Sequence, residues 1–173
     1  LGSLISGLEI ADYHYSNYDY FIAVRYYKSV ITSKKKLKNK YSNRSYYKSL
    51  NYKPDVSAMI SLGEYYLDIG TDLKGLEYLV LAVENKSELA CLIIGDYYYD
   101  KQAFPFAEKY YKLGTKLGCI ESTRKLANYY ENNVKDIKNM LKYYILAAKN
   151  GCEISEKKLE KYRKILSGLW SVY

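Results

Sequence analysis

The sequence predicts an all-α fold of stacked helical hairpins, and three observations carry that prediction. A short phrase returns at a fixed interval of 32 residues: Leu62-Gly63-Glu64-Tyr65-Tyr66, Ile94-Gly95-Asp96-Tyr97-Tyr98 and Leu126-Ala127-Asn128-Tyr129-Tyr130. A second phrase follows each copy: Gly75…Leu79…Ala82, Ala107…Tyr111…Gly114 and Met140…Tyr144…Ala147. No segment alternates with period 2, so no strand is expected. A fixed period of roughly 20–50 residues marks helical units that stack on their neighbours.

Helical periodicity explains which residues recur. Ala58, Leu62, Gly63 and Tyr66 share one helical face. Small Gly63 lets a partner helix approach, and Tyr66 fills the space beside it. On the second helix Ala107, Tyr111 and Gly114 present small, large and small side chains to that face. Neither helix can bury its stripe alone, so several units must stack.

In chain order, a first helix is expected over 4–16, where Ile10-Ala11-Asp12-Tyr13-His14 is a degenerate copy of the first phrase. Asn17, Tyr18 and Asp19 make a turn, with Asp19 as N-cap. The second helix starts near Tyr20, and its Ala23…Tyr27…Val30 has the spacing of Gly75…Leu79…Ala82. The rhythm then breaks. About twenty residues, 33–52, are inserted. They are read as a helix extension through Lys38, then loop, with a short helix at 45–50. Pro54 ends this segment and Asp55 caps the next helix. Helices follow at 55–69, 71–85, 87–100, 103–117, 120–132, 135–149 and 153–167, with Gly118 and Gly151 at left-handed turn positions. Ala127 to Met140 spans 13 residues where the other copies span 12, so that loop holds one extra residue.

The chain has 173 residues, about one domain's worth. Leu1-Gly2-Ser3 reads as the scar of a cleaved fusion tag, so one repeat domain is expected over 4–173. No apolar run is long enough to cross a membrane. Cys91, Cys119 and Cys152 show no CxxC spacing, and Cys119 and Cys152 occupy equivalent repeat positions too far apart for a disulfide. That cysteine usage favours a reducing, cytoplasmic setting. The Tyr count of 24, with abundant Lys and Asn, matches AT-rich coding.

Net charge is +8 and unevenly placed. No acidic residue lies between Asp19 and Asp55. That stretch holds ten of the 27 basic residues: Arg25, Lys28, Lys34, Lys35, Lys36, Lys38, Lys40, Arg44, Lys48 and Lys53. The 17 others face 19 acidic residues, so the basicity belongs to one segment.

These residues resemble Sel1-like repeats, a subgroup of the tetratricopeptide superfamily. Ala90…Ile94-Gly95…Tyr98 matches the first half of the family pattern. Tyr143-Tyr144…Ala147-Ala148…Gly151…Ser155 matches the second half. The likeness covers most of 6–163. The loops within repeats are shorter than the Sel1 pattern, and the terminal copies are eroded at Ala11 with His14 and at Glu160 with Arg163. Eroded ends fit capping repeats, and the insert lies outside the pattern. Composition is similar to repeat proteins of giant viruses and AT-rich protists, which would place the chain in a host cytoplasm. The resemblance implies a right-handed α-solenoid of about four and a half hairpins, forming a curved rod with a concave groove. It also implies adaptor work, holding a partner peptide or domain in that groove.

On a tetratricopeptide-like array the first helix of each repeat lines the groove. Asp12, Glu64, Asp96 and Asn128 would then face in, with Tyr15, Leu67, Tyr99 and Glu131, and with Asp68 and Asp100 close by. That strip suits a basic or mixed peptide, with Tyr99 as an anchor. Tyr65, Tyr97 and Tyr129 sit beside the core stripe and are expected to pack. The insert, with Lys34, Lys35, Lys36, Lys38, Lys40, Arg44, Lys48 and Lys53, is a second contact zone. It suits an acidic protein, or alternatively nucleic acid through phosphate neutralisation and tyrosine stacking. His14 is the sole histidine, no ligand set has zinc spacing, and no Gly-rich phosphate loop occurs. The expected function is therefore a non-catalytic protein–protein scaffold without cofactor or metal.

Overall fold

The computed structural model describes residues 2–41 and 55–170, with side chains over 7–32 and 55–165. Among the described residues all regular structure is helical. The helices are α1 (Gly2–Ser16), α2 (Tyr20–Tyr41), α3 (Val56–Asp68), α4 (Asp72–Glu84), α5 (Glu88–Asp100), α6 (Phe104–Lys116), α7 (Ile120–Tyr129), α8 (Ile137–Lys149) and α9 (Glu153–Trp170). They pair as hairpins α1/α2, α3/α4, α5/α6 and α7/α8, and α9 packs on α8. The chain forms two compact units, 1–85 and 86–173.

Local chemistry sets the helix ends. The Asp55 carboxylate accepts from the Ala58 N–H at 3.1 Å, as a capping aspartate should. Ser87 and Asp136 cap α5 and α8 the same way. Cys119 and Cys152 serve helix starts rather than each other. The Cys119 sulfur accepts from the Ser122 N–H at 3.4 Å, and the Ser155 hydroxyl donates to the Cys152 sulfur at 3.2 Å. All three cysteines are free thiols. Burial, followed by nearby Cys119 and Glu88, pushes the Cys91 thiol up to about 11. Gly118 and Gly151 close their helices at φ +95° and +89°, a region where an added Cβ is strained.

Each hairpin is closed by a small residue set against a large one. In unit 1, Gly63 faces Leu79, and a Cβ on Gly63 would come within 2.5 Å of that side chain. In unit 2, a Cβ on Gly95 would come within 2.5 Å of the Tyr111 ring. The recurring positions of the second helices are all buried: Tyr27, Leu79, Tyr111 and Tyr144 are at most 2% exposed. Burying one such side chain stabilises by about 1.5–3 kcal/mol.

Two further contacts repeat, and neither is evident from apolar periodicity. A ring on the first helix stacks on a ring of the second in every hairpin. Unit 1 has His14 on Tyr26 (6.2 Å, 5°) and Tyr66 on Tyr78 (5.8 Å, 5°). Unit 2 has Tyr98 on Tyr110 (5.9 Å, 14°) and Tyr130 on Tyr143 (5.6 Å, 2°). Such pairs add about 0.5–1.5 kcal/mol each. The only histidine thus fills a structural aromatic position. Of the other tyrosine set, Tyr129 is buried and Tyr65 and Tyr97 are half-buried. The second repeated contact is polar. The buried tyrosine hydroxyl lies against the residue after the small position: Tyr27 donates to Asp12 (2.6 Å), Tyr111 donates to Asp96 (2.6 Å), and Tyr144 shares its single proton between Asn128 Oδ1 (2.5 Å) and Glu131. In α3/α4, Leu79 replaces the tyrosine.

The extra residue of the fourth hairpin is absorbed in an unexpected place. Instead of lengthening a loop, it widens the end of α7 into a π-helical turn, Tyr130–Val134, which ends at Lys135 with φ +60°. The Asp136 N–H then bonds the Tyr130 carbonyl at 3.0 Å. This turn carries Glu131. Its carboxylate accepts from Lys158 Nζ at 2.9 Å and from the Tyr144 and Tyr162 hydroxyls. Burial alone would raise that carboxyl, but the bonds from Tyr144, Tyr162 and Lys158 outweigh it and hold it below its ordinary value. Lys158 and Tyr162 belong to α9, so Glu131 ties the unpaired helix to the last hairpin.

The insert differs in extent from the expectation. Helix α2 continues to Tyr41, past Lys38, so Lys34, Lys35, Lys36, Lys38 and Lys40 lie on helical backbone. Arg44, Lys48, Lys53 and the short helix expected at 45–50 lie outside the described residues. Helix α1 starts at Gly2 and so includes two of the three residues read as a tag scar.

Two stability outcomes follow from this packing. Gly95→Ala forces a methyl into the Tyr111 ring and should lower unfolding free energy by about 1–3 kcal/mol, measured by urea denaturation. An unchanged midpoint would show that the hairpin can spread without cost. Glu131 has a depressed folded-state value, so its contribution is full at neutral pH and fades as pH falls below the ordinary carboxyl range and through that lowered value. Glu131→Gln should therefore cost about 1–3 kcal/mol at pH 7, with the gap to the parent narrowing in acid. An equal gap at both pH values would remove Glu131 from the acid response.

Candidate protein-interaction site

In unit 2 the first helices of two successive hairpins leave a cleft of about 340 Å³. Helix α5 supplies Asp96, Tyr99 and Asp100, one turn apart on one face. Helix α7 supplies Arg124, Lys125 and Asn128, and the π-helical turn adds Asn132. Tyr111 reaches the floor from α6. The short loops and the small residues Gly95 and Ala127 set both first helices at a fixed depth over their partners.

The cleft is held by a polar network. Asp96 accepts from the Tyr111 hydroxyl at 2.6 Å and from Lys125 Nζ at 3.0 Å. Burial, then the bond to Asp96, raises the Tyr111 hydroxyl far above its ordinary value, so it stays a donor. The Tyr99 hydroxyl donates to Asn133 Oδ1 at 3.1 Å, which ties α5 to the π-helical turn. Arg124 forms a two-point pair with Glu121 on its own helix. The Arg124 bonds come first among the causes that lower the Glu121 carboxyl.

Of the residues expected to line a groove, Asp96, Tyr99, Asp100 and Asn128 meet in this cleft. Glu131 lies outside its lining and is spent on α9. In unit 1, Asp12 serves the Tyr27 hydroxyl. Tyr15, Glu64 and Asp68 are near neighbours. Burial first, then the Asp68 and Glu64 charges, raise the Tyr15 hydroxyl, and burial with Asp68 raises the Glu64 carboxyl. Leu67 packs over Gly75 inside its hairpin.

Sequence reading missed Lys125, Arg124 and Asn132 in the cleft, and missed the structural duty of Asp96. One signal was present. The acceptor and the tyrosine are 15 residues apart in Asp12/Tyr27 and Asp96/Tyr111, and 16 apart in Asn128/Tyr144, where the loop has its extra residue. Where leucine replaces the tyrosine, the equivalent position holds Glu64, with no hydroxyl opposite it.

Chemically, the cleft offers one exposed carboxylate (Asp100), the Tyr99 phenol, side-chain amides, and two cations, Arg124 and Lys125, each already paired. Groups of that kind can hydrogen-bond a polar backbone and pair with charged side chains. Among the described residues, no group of three or more His, Cys, Asp or Glu is placed to hold a metal ion. Among the same residues, no helix is long and apolar enough to cross a membrane.

No protein-family model matches the chain, and no curated protein matches it. Solved structures do. A Sel1 repeat protein from Oxalobacter formigenes is 24% identical, with TM-score 0.52, covering 62% of this chain and 89% of that one. The MamA protein is 19% identical, with TM-score 0.58, covering 85% and 73%. The protective antigen c5321 of uropathogenic Escherichia coli, which displays an SLR fold, is 16% identical, with TM-score 0.64, covering 94% of this chain and 34% of that one. The two neighbours whose source is named are bacterial, so they lend nothing to the viral and protist likeness in composition. At these identities the likeness speaks for fold alone, and the fold class is an all-α solenoid of helical hairpins, similar to the solved Sel1-repeat structure.

Proposed function

We propose that the chain is a non-catalytic protein-interaction scaffold whose unit 2 cleft binds an extended peptide segment of a partner. The carrying observation is the cleft itself: two first helices hold Tyr99, Asp100, Asn128 and Asn132 around an open volume of about 340 Å³. The network beneath, from Tyr111 through Asp96 to Lys125, fixes that wall before any ligand arrives. A preformed wall lowers the ordering cost of binding. Mixed charge suits a basic or mixed peptide, with a side chain seated against Tyr99 and a cation near Asp100. The Sel1-type fold of the solved neighbours supports the scaffold reading, and the partner's chemistry is inferred from the cleft alone.

The test is peptide selection from a random displayed library on the whole chain, followed by affinity measurement. Tyr99→Ala and Asp100→Lys should each weaken selected peptides roughly 10- to 30-fold, the effect of losing an anchor of about 2 kcal/mol. Asp100 is exposed, so the Asp100→Lys melt should stay near the parent's, while Tyr99→Ala, which also loses the Asn133 bond and the Phe104 contact, is read at a temperature where circular dichroism shows it folded. Selected peptides that ignore both substitutions would place binding elsewhere.

A further inference from the structure

Unit 1 carries a second cleft of different electrostatic character: the unit 2 cleft mixes Asp96 and Asp100 with Arg124 and Lys125, whereas this one has only basic charges in its lining. It lies between α2 and α3, has a volume of about 440 Å³, and is lined by Phe21, Val24, Arg25, Lys28, Tyr65 and Tyr66. Phe21, Val24, Arg25 and Lys28 form one stripe along α2. The opposite face of that helix, with Ala23, Tyr27 and Val30, is buried in the unit. No lining residue is acidic.

The cleft pairs an apolar floor with a cationic rim. Phe21 is 83% exposed, so a large ring stands at the mouth. Arg25 and Lys28 are exposed beside it. Lys28 Nζ sits 5.4 Å from the Tyr66 ring centroid, and Lys74 Nζ approaches the same ring at 5.7 Å. Along α2 the positive charge continues through Lys34, Lys35, Lys36, Lys38 and Lys40, and the helix contains no carboxylate. Charge complementarity therefore calls for an acidic partner, and the floor calls for an apolar side chain within it.

The aromatic geometry separates a protein from a nucleic acid. Stacking on bases needs an open ring face. Tyr66 is 7% exposed, stacks on Tyr78 at 5.8 Å, and has two ammonium groups over it. Tyr65 is set against Tyr20 and against Tyr66, each at 5.4 Å. The tyrosines of the floor are engaged with one another, which leaves Phe21 as the one lining ring that is largely exposed. From this we infer that the α2/α3 cleft docks an acidic peptide segment bearing an aliphatic or aromatic anchor. The apolar anchor enters between Phe21, Val24 and Tyr65, and the flanking carboxylates meet Arg25 and Lys28. This surface is separate from the unit 2 cleft, and its test does not depend on that reading.

The experiment uses the whole chain and fluorescence anisotropy with a labelled peptide alternating Asp or Glu with Leu or Phe. Control probes are the same peptide with Ser for each Leu and Phe, a single-stranded oligonucleotide, and vesicles of equal parts phosphatidylcholine and phosphatidylserine. The amphipathic acidic peptide should bind best. Phe21→Ala and Arg25→Glu should each weaken it about tenfold, or about 1.4 kcal/mol. Both side chains are exposed, so the melting curve should not move. Tyr99→Ala should leave this affinity unchanged. Phe21→Ala is the diagnostic variant, because attraction to the lysine run of α2 alone would not depend on it. Equal binding of the serine peptide, stronger binding of oligonucleotide or vesicle, or indifference to Phe21→Ala would each overturn the assignment.

Discussion

The structure depends on one close approach, repeated in each hairpin: a residue with little or no side chain on the first helix against a large one on the second. Gly95 against Tyr111 shows why this is strict. The place a Cβ would take is already filled by the ring. Bringing the helices that near buries the tyrosine completely, and a buried hydroxyl must find an acceptor. The next residue along the first helix, Asp96, is the nearest side chain that can supply one. Asp12 and Asn128 answer the same demand. The substitution of Leu79 removes the hydroxyl and, with it, the demand.

This changes how the repeated polar residues are read. A strip of Asp12, Asp96 and Asn128 looks like a binding face when only helical position is considered. Each is first an internal acceptor. What remains for a ligand in unit 2 is the next turn, Tyr99 and Asp100, together with the side chains α7 brings opposite. The stacked rings have a similar lesson. They bridge the two helices of each hairpin, so much of the chain's tyrosine content is structural.

The two clefts differ because their walls differ in origin. The unit 2 cleft lies between first helices, whose exposed residues include acids and amides held by internal bonds. The unit 1 cleft borrows a second helix, α2, from a stretch with no acids at all. The two surfaces thus differ in charge, one mixed and one basic, without a change of fold. The π-helical turn adds a local device. One extra residue widens the end of α7, aims Glu131 at Lys158 and Tyr162, and secures α9.

The sequence by itself determined the all-α class, the helix succession and the buried positions, because all three follow from a 32-residue period and from apolar spacing. Ala23, Tyr27, Leu79, Ala82, Tyr111 and Tyr144 were legible as core for that reason, and each is buried. The caps at Asp55, Gly118 and Gly151 were legible because their chemistry is local. Only the tertiary structure decided what each polar repeat residue does. Asp96 and Glu131 occupy equally plausible groove positions in the sequence, yet one braces a cleft and the other ties down a helix. Their partners, Tyr111, Lys125, Lys158 and Tyr162, lie between 15 and 31 residues away, and side-chain direction across a hairpin is set by packing depth, which spacing alone does not encode. The π-helical turn was likewise hidden. A single added residue can lengthen a loop or widen a helix, and spacing alone does not distinguish the two; in the structure the widened turn carries Tyr130, which donates to Glu108, and Glu131, which accepts from Tyr162.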